Sequence, residues 1–299
     1  MHIVNDLGGK LKEGVKINEP LAYHTSWEVG GPADYFFCPV NVDEVVEIVR
    51  FSRQHNLPLQ VIGNGSNLLV RDGGIRGLVL KIGDAFSYVE IKNELLTVGA
   101  GTQMTYLARI AAEKALCGCE FMVGIPGSLG GAIIMNAGSF GGYIGEKVSS
   151  VKLVSLEGET LVLDKEQLSF AYRRSNLLGR GVIVEASIKL EKGNQDESLK
   201  KIEYFLAERG RRHPILPSAG SVFRNLPDQP AGRLIENAGA KGMRIGGAEV
   251  STKHANFIVN RGDATASDIL NLMDTVRRMV KEKYDIDLQP EVKVIGEEI

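Results

Sequence analysis

Glycine placement constrains this chain more than any other feature. Its 35 glycines are clustered, and two clusters follow apolar runs. The first cluster is Gly63-Asn64-Gly65-Ser66-Asn67-Leu68, after the run 59–62. The second is Gly124-Ile125-Pro126-Gly127-Ser128-Leu129-Gly130-Gly131-Ala132, continuing to Met135-Asn136-Ala137-Gly138. Glycine costs backbone entropy, so dense glycine marks main chain that approaches something closely or turns left-handed. The first cluster begins like G-x-G-x-x-G, but Leu68 replaces the third glycine and LLVRDGG reads as strand and turn. A Rossmann site needs a helix N-terminus under the pyrophosphate, so Asp84 at the acidic offset is coincidental. What remains is a nest of successive N–H groups suited to an anion, with Ser66 and Asn67 as further donors. A plain tight turn accounts for the same residues. The second cluster has no G-K-[ST] and is no P-loop. Glycines 127, 130 and 131 clear side chains away, and a flat or extended ligand could lie there. The apolar run 132–135 argues against free solvent exposure.

Hydrophobic periodicity organises the rest. Helices are expected at 41–54, where Asn41 and Glu44 form a capping-box pattern, and at 103–116, 199–209 and 265–284. In the last, Ile269, Leu272, Met273, Val276, Met279 and Val280 keep to one face. Strands are expected at 59–62, 68–70, 78–82, 88–91, 95–98 and 182–190, with a hairpin of 151–156 and 160–163 and a late strand at 257–259. The segment 124–145 reads as a loop. The polar run EKGNQDES (191–198) reads as a linker. Helices and strands in segregated runs imply an α+β fold. A chain of 299 residues suits two domains, with a ligand at home between them.

Charge and cysteines narrow the function classes. A formal net charge of −2 argues against nucleic acid as partner. Cys38, Cys117 and Cys119 suit a reducing compartment. No Cys or His near the C-x-C pair completes a zinc site, so no metal is expected. The start MHIVNDLGGKLKEG lacks the apolar core of a signal peptide, and no apolar run is long enough to span a membrane. The expectation is a cytoplasmic monomer.

Taken together, GNGSNLL and GIPGSLGGAIIMNAG resemble the flavin-contacting loops of the vanillyl-alcohol-oxidase-type (PCMH-type) FAD-binding domain. Three further motifs resemble the UDP-N-acetylenolpyruvoylglucosamine reductase family: Tyr172-Arg173-Arg174-Ser175, Pro217-Ser218-Ala219-Gly220-Ser221-Val222-Phe223 and Leu288-Gln289-Pro290-Glu291-Val292. The resemblance runs from about Thr25 to Gly296, in the family's order. It implies an N-terminal extension (1–24), an FAD-binding domain of two α+β subdomains (25–192) and a C-terminal α+β substrate-binding domain (199–299). It also implies non-covalent FAD, NADPH as co-substrate, and reduction of the enolpyruvyl ether of a UDP-sugar to UDP-N-acetylmuramate in peptidoglycan precursor synthesis. Arg173, Ser221 and Glu291 would be catalytic. The cofactor would meet Gly63, Asn64, Gly65, Ser66, Asn67, Leu68, Ile125, Pro126, Gly127, Ser128, Gly130, Gly131, Ala132, Asn136, Ala137, Gly138 and Arg209. Substrate would meet Arg173, Arg212, Asn225, His254 and Glu291. Three departures stand out. Leu226 separates Asn225 from Pro227, His254 replaces the glutamine of one branch, and no insertion at 190–199 carries a substrate-closing tyrosine. The chain therefore resembles the shorter branch.

The chemistry explains those residue types. Hydride addition to the enolpyruvyl methylene places charge beside the carboxylate. A guanidinium such as Arg173 stays cationic and grips a carboxylate bidentately. A hydroxyl such as Ser221 can protonate so basic a carbon. Glu291 would repel the charge unless neutral or bridged by water. The Arg209, Arg211 and Arg212 cluster would face a diphosphate, or be a solvated helix end that favours the dipole. Without the family motifs, surface cations, a turn serine and a solvated glutamate explain the same positions. Another flavin oxidoreductase of this domain type, or a non-catalytic UDP-sugar or flavin sensor, would share the glycine clusters.

Overall fold

The computed structural model describes residues 13–299, and the chain gathers into two compact units. One holds residues up to Lys16 with Tyr35–Asn64 and Gly77–Arg209. The other holds Ile17–Asp34, Gly65–Arg76 and Gly210–Ile299. Each has its own buried apolar cluster, and the mixture of helices and sheets is α+β. No helix of the described residues is long and apolar enough to cross a membrane.

The first unit is built on an antiparallel sheet in the order Thr160–Asp164, Val148–Ser155, Gly181–Lys189, Leu95–Gly99, Val89–Lys92. Helix Val42–Gln54 contributes Val45, Ile48 and Val49 to its core, and helix Met104–Glu113 contributes Met104, Leu107, Ala108 and Ala111. These spacings put one apolar stripe on each helix, and each such aliphatic side chain contributes roughly 1.5–3 kcal/mol when fully buried. Asn41 caps the first helix by accepting from the Glu44 N–H, while the Glu44 carboxylate accepts from the Val40 N–H at 2.9 Å and from the Asn41 side-chain amide at 3.4 Å. Strand Leu59–Ile62 pairs in parallel with Ile75–Lys81 and delivers the first glycine cluster from its end.

Two expectations are corrected here. Residues 191–198 are not a linker. Glu191 and Lys192 pair with Cys117 and Leu116, the Asn194 side chain accepts from the Glu197 N–H, and helix Gln195–Arg212 is already under way. Asp196 and Glu197 suit the positive end of a helix, and Ser198 is buried against Glu120 Oε1 at 2.8 Å. A polar cap and first turn look like a linker in composition. Nor is 124–145 simply a loop, since it contains helix Leu129–Ile134. Leu129 and Ile133 anchor that helix in the core, and the Leu129 and Gly130 N–H groups donate to Thr102 and Ala100. Tertiary bonds hold a helix that its glycines disfavour.

The second unit centres on the antiparallel strands Arg244–Ile245, Ala248–Val250 and Ile258–Asn260, covered by helices Ala231–Asn237 and Ala266–Tyr284. Early chain completes it. Leu68–Val70 pairs in parallel with Lys293–Ile295, and Trp27 is fully buried, its Nε1 donating to the Ile258 carbonyl at 2.7 Å. Thr265 and Asp268 form a capping box on the long helix. Asp72 adds a second cap, accepting from the Ala266 and Ser267 N–H groups and from Ser267 Oγ. Ile17–Asp34 and Gly65–Arg76 pack in this unit with the C-terminal residues. Residues 1–12 of the expected extension lie outside the described residues.

Candidate active site

The glycine clusters meet in the first unit. A Cβ on Gly63 would stand 2.5 Å from Ser128 Oγ, so the Gly63 main chain packs against the Ser128 side chain. Gly127, at φ 126°, lies where L side chains are strained. Gly130 and Gly138 pack inward: a Cβ would meet Ala100 at 3.1 Å in one case and the Tyr143 ring at 2.4 Å in the other. Gly131 differs. It is exposed on helix Leu129–Ile134, and a Cβ there would meet only Ser128 Oγ, at 3.9 Å. Nothing among the described residues requires that glycine. Ile125 and Ala132 are buried, and Pro126 is exposed. Arg209, at the end of the helix that stacks Phe205 on Phe140 at 4.1 Å, donates to the Gly124 carbonyl. Burial lowers the pKa of its guanidinium.

Arg173 sits in the two-residue turn of a short hairpin, with Phe170 opposite Ser175 and Ala171 opposite Arg174. Its φ of 53° is left-handed, a region a long side chain rarely adopts, and its guanidinium lies 5.0 Å from the Tyr172 ring centroid. Asn136 is left-handed too, at φ 41°, and buried. Its amide nitrogen donates to the Ala171 carbonyl at 2.9 Å and its amide oxygen accepts from the Gly145 N–H at 3.0 Å. Both ends of the Asn136 side chain thus make bonds within the protein.

Ser221 and Glu291 come together in the second unit. The Glu291 N–H donates to the carbonyl of Val222 at 2.7 Å, the residue next to Ser221, and Arg224 N–H bonds Gln289. Asn67 extends the link, its amide donating to the Glu291 carbonyl at 3.2 Å and its carbonyl accepting from Lys293 N–H. Asn67 thus holds the main chain at Glu291 within the second unit. Gly65 is forced to be glycine here: φ is 62°, and a Cβ would stand 2.1 Å from the His24 carbonyl oxygen. Leu68 starts the strand beside Lys293. Asn256, which no sequence motif singles out, donates its amide N–H to the Phe223 carbonyl at 2.8 Å and accepts from the Phe223 N–H at 3.0 Å. Its carbonyl accepts from Val222 N–H. Three bonds from one residue fix the backbone after Ser221.

The expected substrate residues are also placed. Asn225 accepts from the Ala231 N–H at 3.0 Å, so its NH₂ is the end suited to a ligand. His254 Nδ1 accepts from the Asn256 N–H at 3.2 Å, which leaves the proton of the neutral ring on Nε2. Burial lowers the pKa of that ring. Arg212 is exposed in the last turn of its helix.

Comparison with known proteins identifies the family. Residues 33–164 match an FAD binding domain, and residues 212–295 match the C-terminal domain of UDP-N-acetylenolpyruvoylglucosamine reductase. The UDP-N-acetylenolpyruvoylglucosamine reductase of Lachnoclostridium phytofermentans is 46% identical over 293 residues, covering 96% of this chain and 94% of that one. That of Desulforamulus reducens is 45% identical over 298 residues, covering 99% and 98%. The crystal structure of the Thermus caldophilus UDP-N-acetylenolpyruvylglucosamine reductase matches with a TM-score of 0.81 and 36% identity, over 94% of this chain and 97% of that one. The fold is a vanillyl-alcohol-oxidase-type FAD-binding domain joined to a C-terminal α+β domain. The chain belongs to the UDP-N-acetylenolpyruvoylglucosamine reductase family.

Proposed function

We propose that this protein is an FAD-dependent oxidoreductase that reduces the enolpyruvyl ether of UDP-N-acetyl-3-O-(1-carboxyvinyl)glucosamine to UDP-N-acetylmuramate, using NADPH, for peptidoglycan precursor synthesis. The observation that supports it is the Glu291 N–H bond to the Val222 carbonyl, which joins the main chain of Glu291 to the segment carrying Ser221 in a chain of this family. The setting is the cytoplasm, where nucleotide sugars and NADPH are found, and the working form is a monomer. The segment 25–192 serves the cofactor and 199–299 the substrate.

The residues fit a flavin. Gly131 keeps open a surface that the described residues do not fill, and Gly63 and Gly127 add no side chains of their own to the neighbouring main chain. Gly63 to Leu68 and Ile125 to Gly138 hold the cofactor chiefly through backbone, with Arg209 beside Gly124. FAD, when bound, would supply the two-electron hydride chemistry, with NADPH as the reductant. The protein supplies the rest. Arg173 grips the substrate carboxylate and meets the charge that develops there; losing such a group typically costs about 2.7–4 kcal/mol of barrier. Ser221 Oγ gives its proton to the carbon next to the carboxylate, completing the lactyl ether. Glu291 meets the same region through a proton, its own or that of a bridging water. Arg212 holds the diphosphate, while the Asn225 NH₂ and His254 Nε2–H donate to substrate oxygens.

A visible spectrum tests this. Purified protein is expected to be yellow, to bleach with NADPH and to regain colour when the enolpyruvyl UDP-sugar is added without oxygen. Protein that takes up no FAD, or recovers colour with oxygen and ignores the UDP-sugar, refutes it.

A further inference from the structure

Arg173 occupies an unfavourable backbone conformation in a two-residue turn, and its hairpin is only two pairs long. A ribbon that short does not hold its own shape in water. Two side chains tie it to the glycine-rich segment. Ser175 Oγ donates to the Ile134 carbonyl at 2.8 Å, at the end of helix Leu129–Ile134. Asn136, two residues further along, donates to the Ala171 carbonyl at 2.9 Å on the other strand of the hairpin. Ser175 and Asn136 are both buried. One strand is therefore held by its own side chain and the other by its own carbonyl. Asn136 also accepts from Gly145 N–H, and Asn suits the left-handed φ of 41° that this position needs.

We propose that Ser175 and Asn136 are positioning residues for Arg173. They lock the turn that carries the guanidinium to the same backbone segment that cradles the cofactor, so the cation is registered to the cofactor segment and not merely tethered near it. This deepens the function proposed above and rests on Arg173 acting on the substrate carboxylate. A shift of about 1 Å at a reacting group can cost on the order of 100-fold in rate, so loss of either tie should act on turnover before it acts on folding or flavin content.

The test uses holoenzyme in two half-reactions followed at the flavin absorbance. Ser175→Ala removes one tie. Asn136→Asp removes the donor of the other, while keeping the left-handed backbone and the acceptor for Gly145. Each is expected to slow recovery of colour by the enolpyruvyl UDP-sugar by about 10- to 100-fold, with bleaching by NADPH little altered. In an Arg173→Ala background, each second change is expected to add less than about twofold, since residues acting as one unit are non-additive. Wild-type kinetics in both variants, or full additivity with Arg173→Ala, overturns the proposal. Parallel loss of flavin and turnover also overturns it and makes these residues part of cofactor binding. A wild-type enzyme that ignores the UDP-sugar fails the proposed function instead, and that outcome is separate.

Discussion

Gly131→Ala is a perturbation with two opposite expected effects. The residue is exposed on helix Leu129–Ile134, its φ is not left-handed, and a Cβ would meet only Ser128 Oγ, at 3.9 Å. Alanine is better than glycine in a helix interior by about 0.8–1.0 kcal/mol, and near the end of so short a helix about 0.5 kcal/mol survives. The flavin-free protein should therefore gain about 0.5–1 kcal/mol, a rise of roughly 1–4 °C in Tm for a protein of this size. If the cofactor lies on that bare surface, the same methyl group overpacks it by about 1–3 kcal/mol, or roughly 5- to 150-fold in affinity. Differential scanning fluorimetry of stripped protein reads the first effect, and FAD titration followed by flavin fluorescence reads the second. A stabilised protein with unchanged FAD affinity would show that no ligand touches this face. A destabilised flavin-free protein would show an internal contact that the geometry does not contain.

Two further outcomes concern the second unit. Asp72→Ala removes three hydrogen bonds at the start of the long helix and should cost about 1–2 kcal/mol in urea unfolding at neutral pH. Burial alone would raise the Asp72 pKa, but the Ser267 hydroxyl and the Ala266 and Ser267 N–H groups outweigh it and leave the pKa below 3.8. The cap's contribution is therefore complete above that value and is lost as pH falls through it, so mutant and wild-type stabilities should converge in strong acid. Divergence there refutes the assignment. His254 has a folded pKa below 6.5, chiefly because it is buried. Its contribution is complete above pH 6.5 and lost as pH falls below it, because the unfolded state takes up the proton first. His254→Gln should flatten the fall of Tm on the acid side of that value; parallel curves would rule it out.

What the sequence made legible was local. The long helix could be found from the spacing of Ile269, Leu272, Met273, Val276 and Val280, and its start from Thr265. The hairpin of Val148–Ser155 and Thr160–Asp164 could be found from alternation and the Glu157-Gly158 turn. Features set by distant partners could not. Nothing in Leu68–Val70 names Lys293–Ile295 as its neighbour, and nothing around Trp27 announces that it fills a core made mostly of residues beyond 210. The helix in the second glycine cluster depends on carbonyls of Ala100 and Thr102. Among the expected site residues, Ser221 and Glu291 came from the family resemblance. Asn256 and Ser175, which hold the segments in place, belong to no chemistry-bearing pattern, and the left-handed turn at Arg173 has no glycine to betray it.

The one tryptophan of the chain, Trp27, is sealed in the second core with its indole N–H bonded to Ile258 and its carbonyl bonded to Asn260. Near 295 nm excitation the protein thus carries a single intrinsic fluorophore, and its emission reports on one unit alone. A red shift on denaturation dates the opening of that unit, while backbone circular dichroism averages both. Superimposable curves from the two signals would mean that the halves melt as one cooperative block, and separated curves would mean an intermediate with only one core intact.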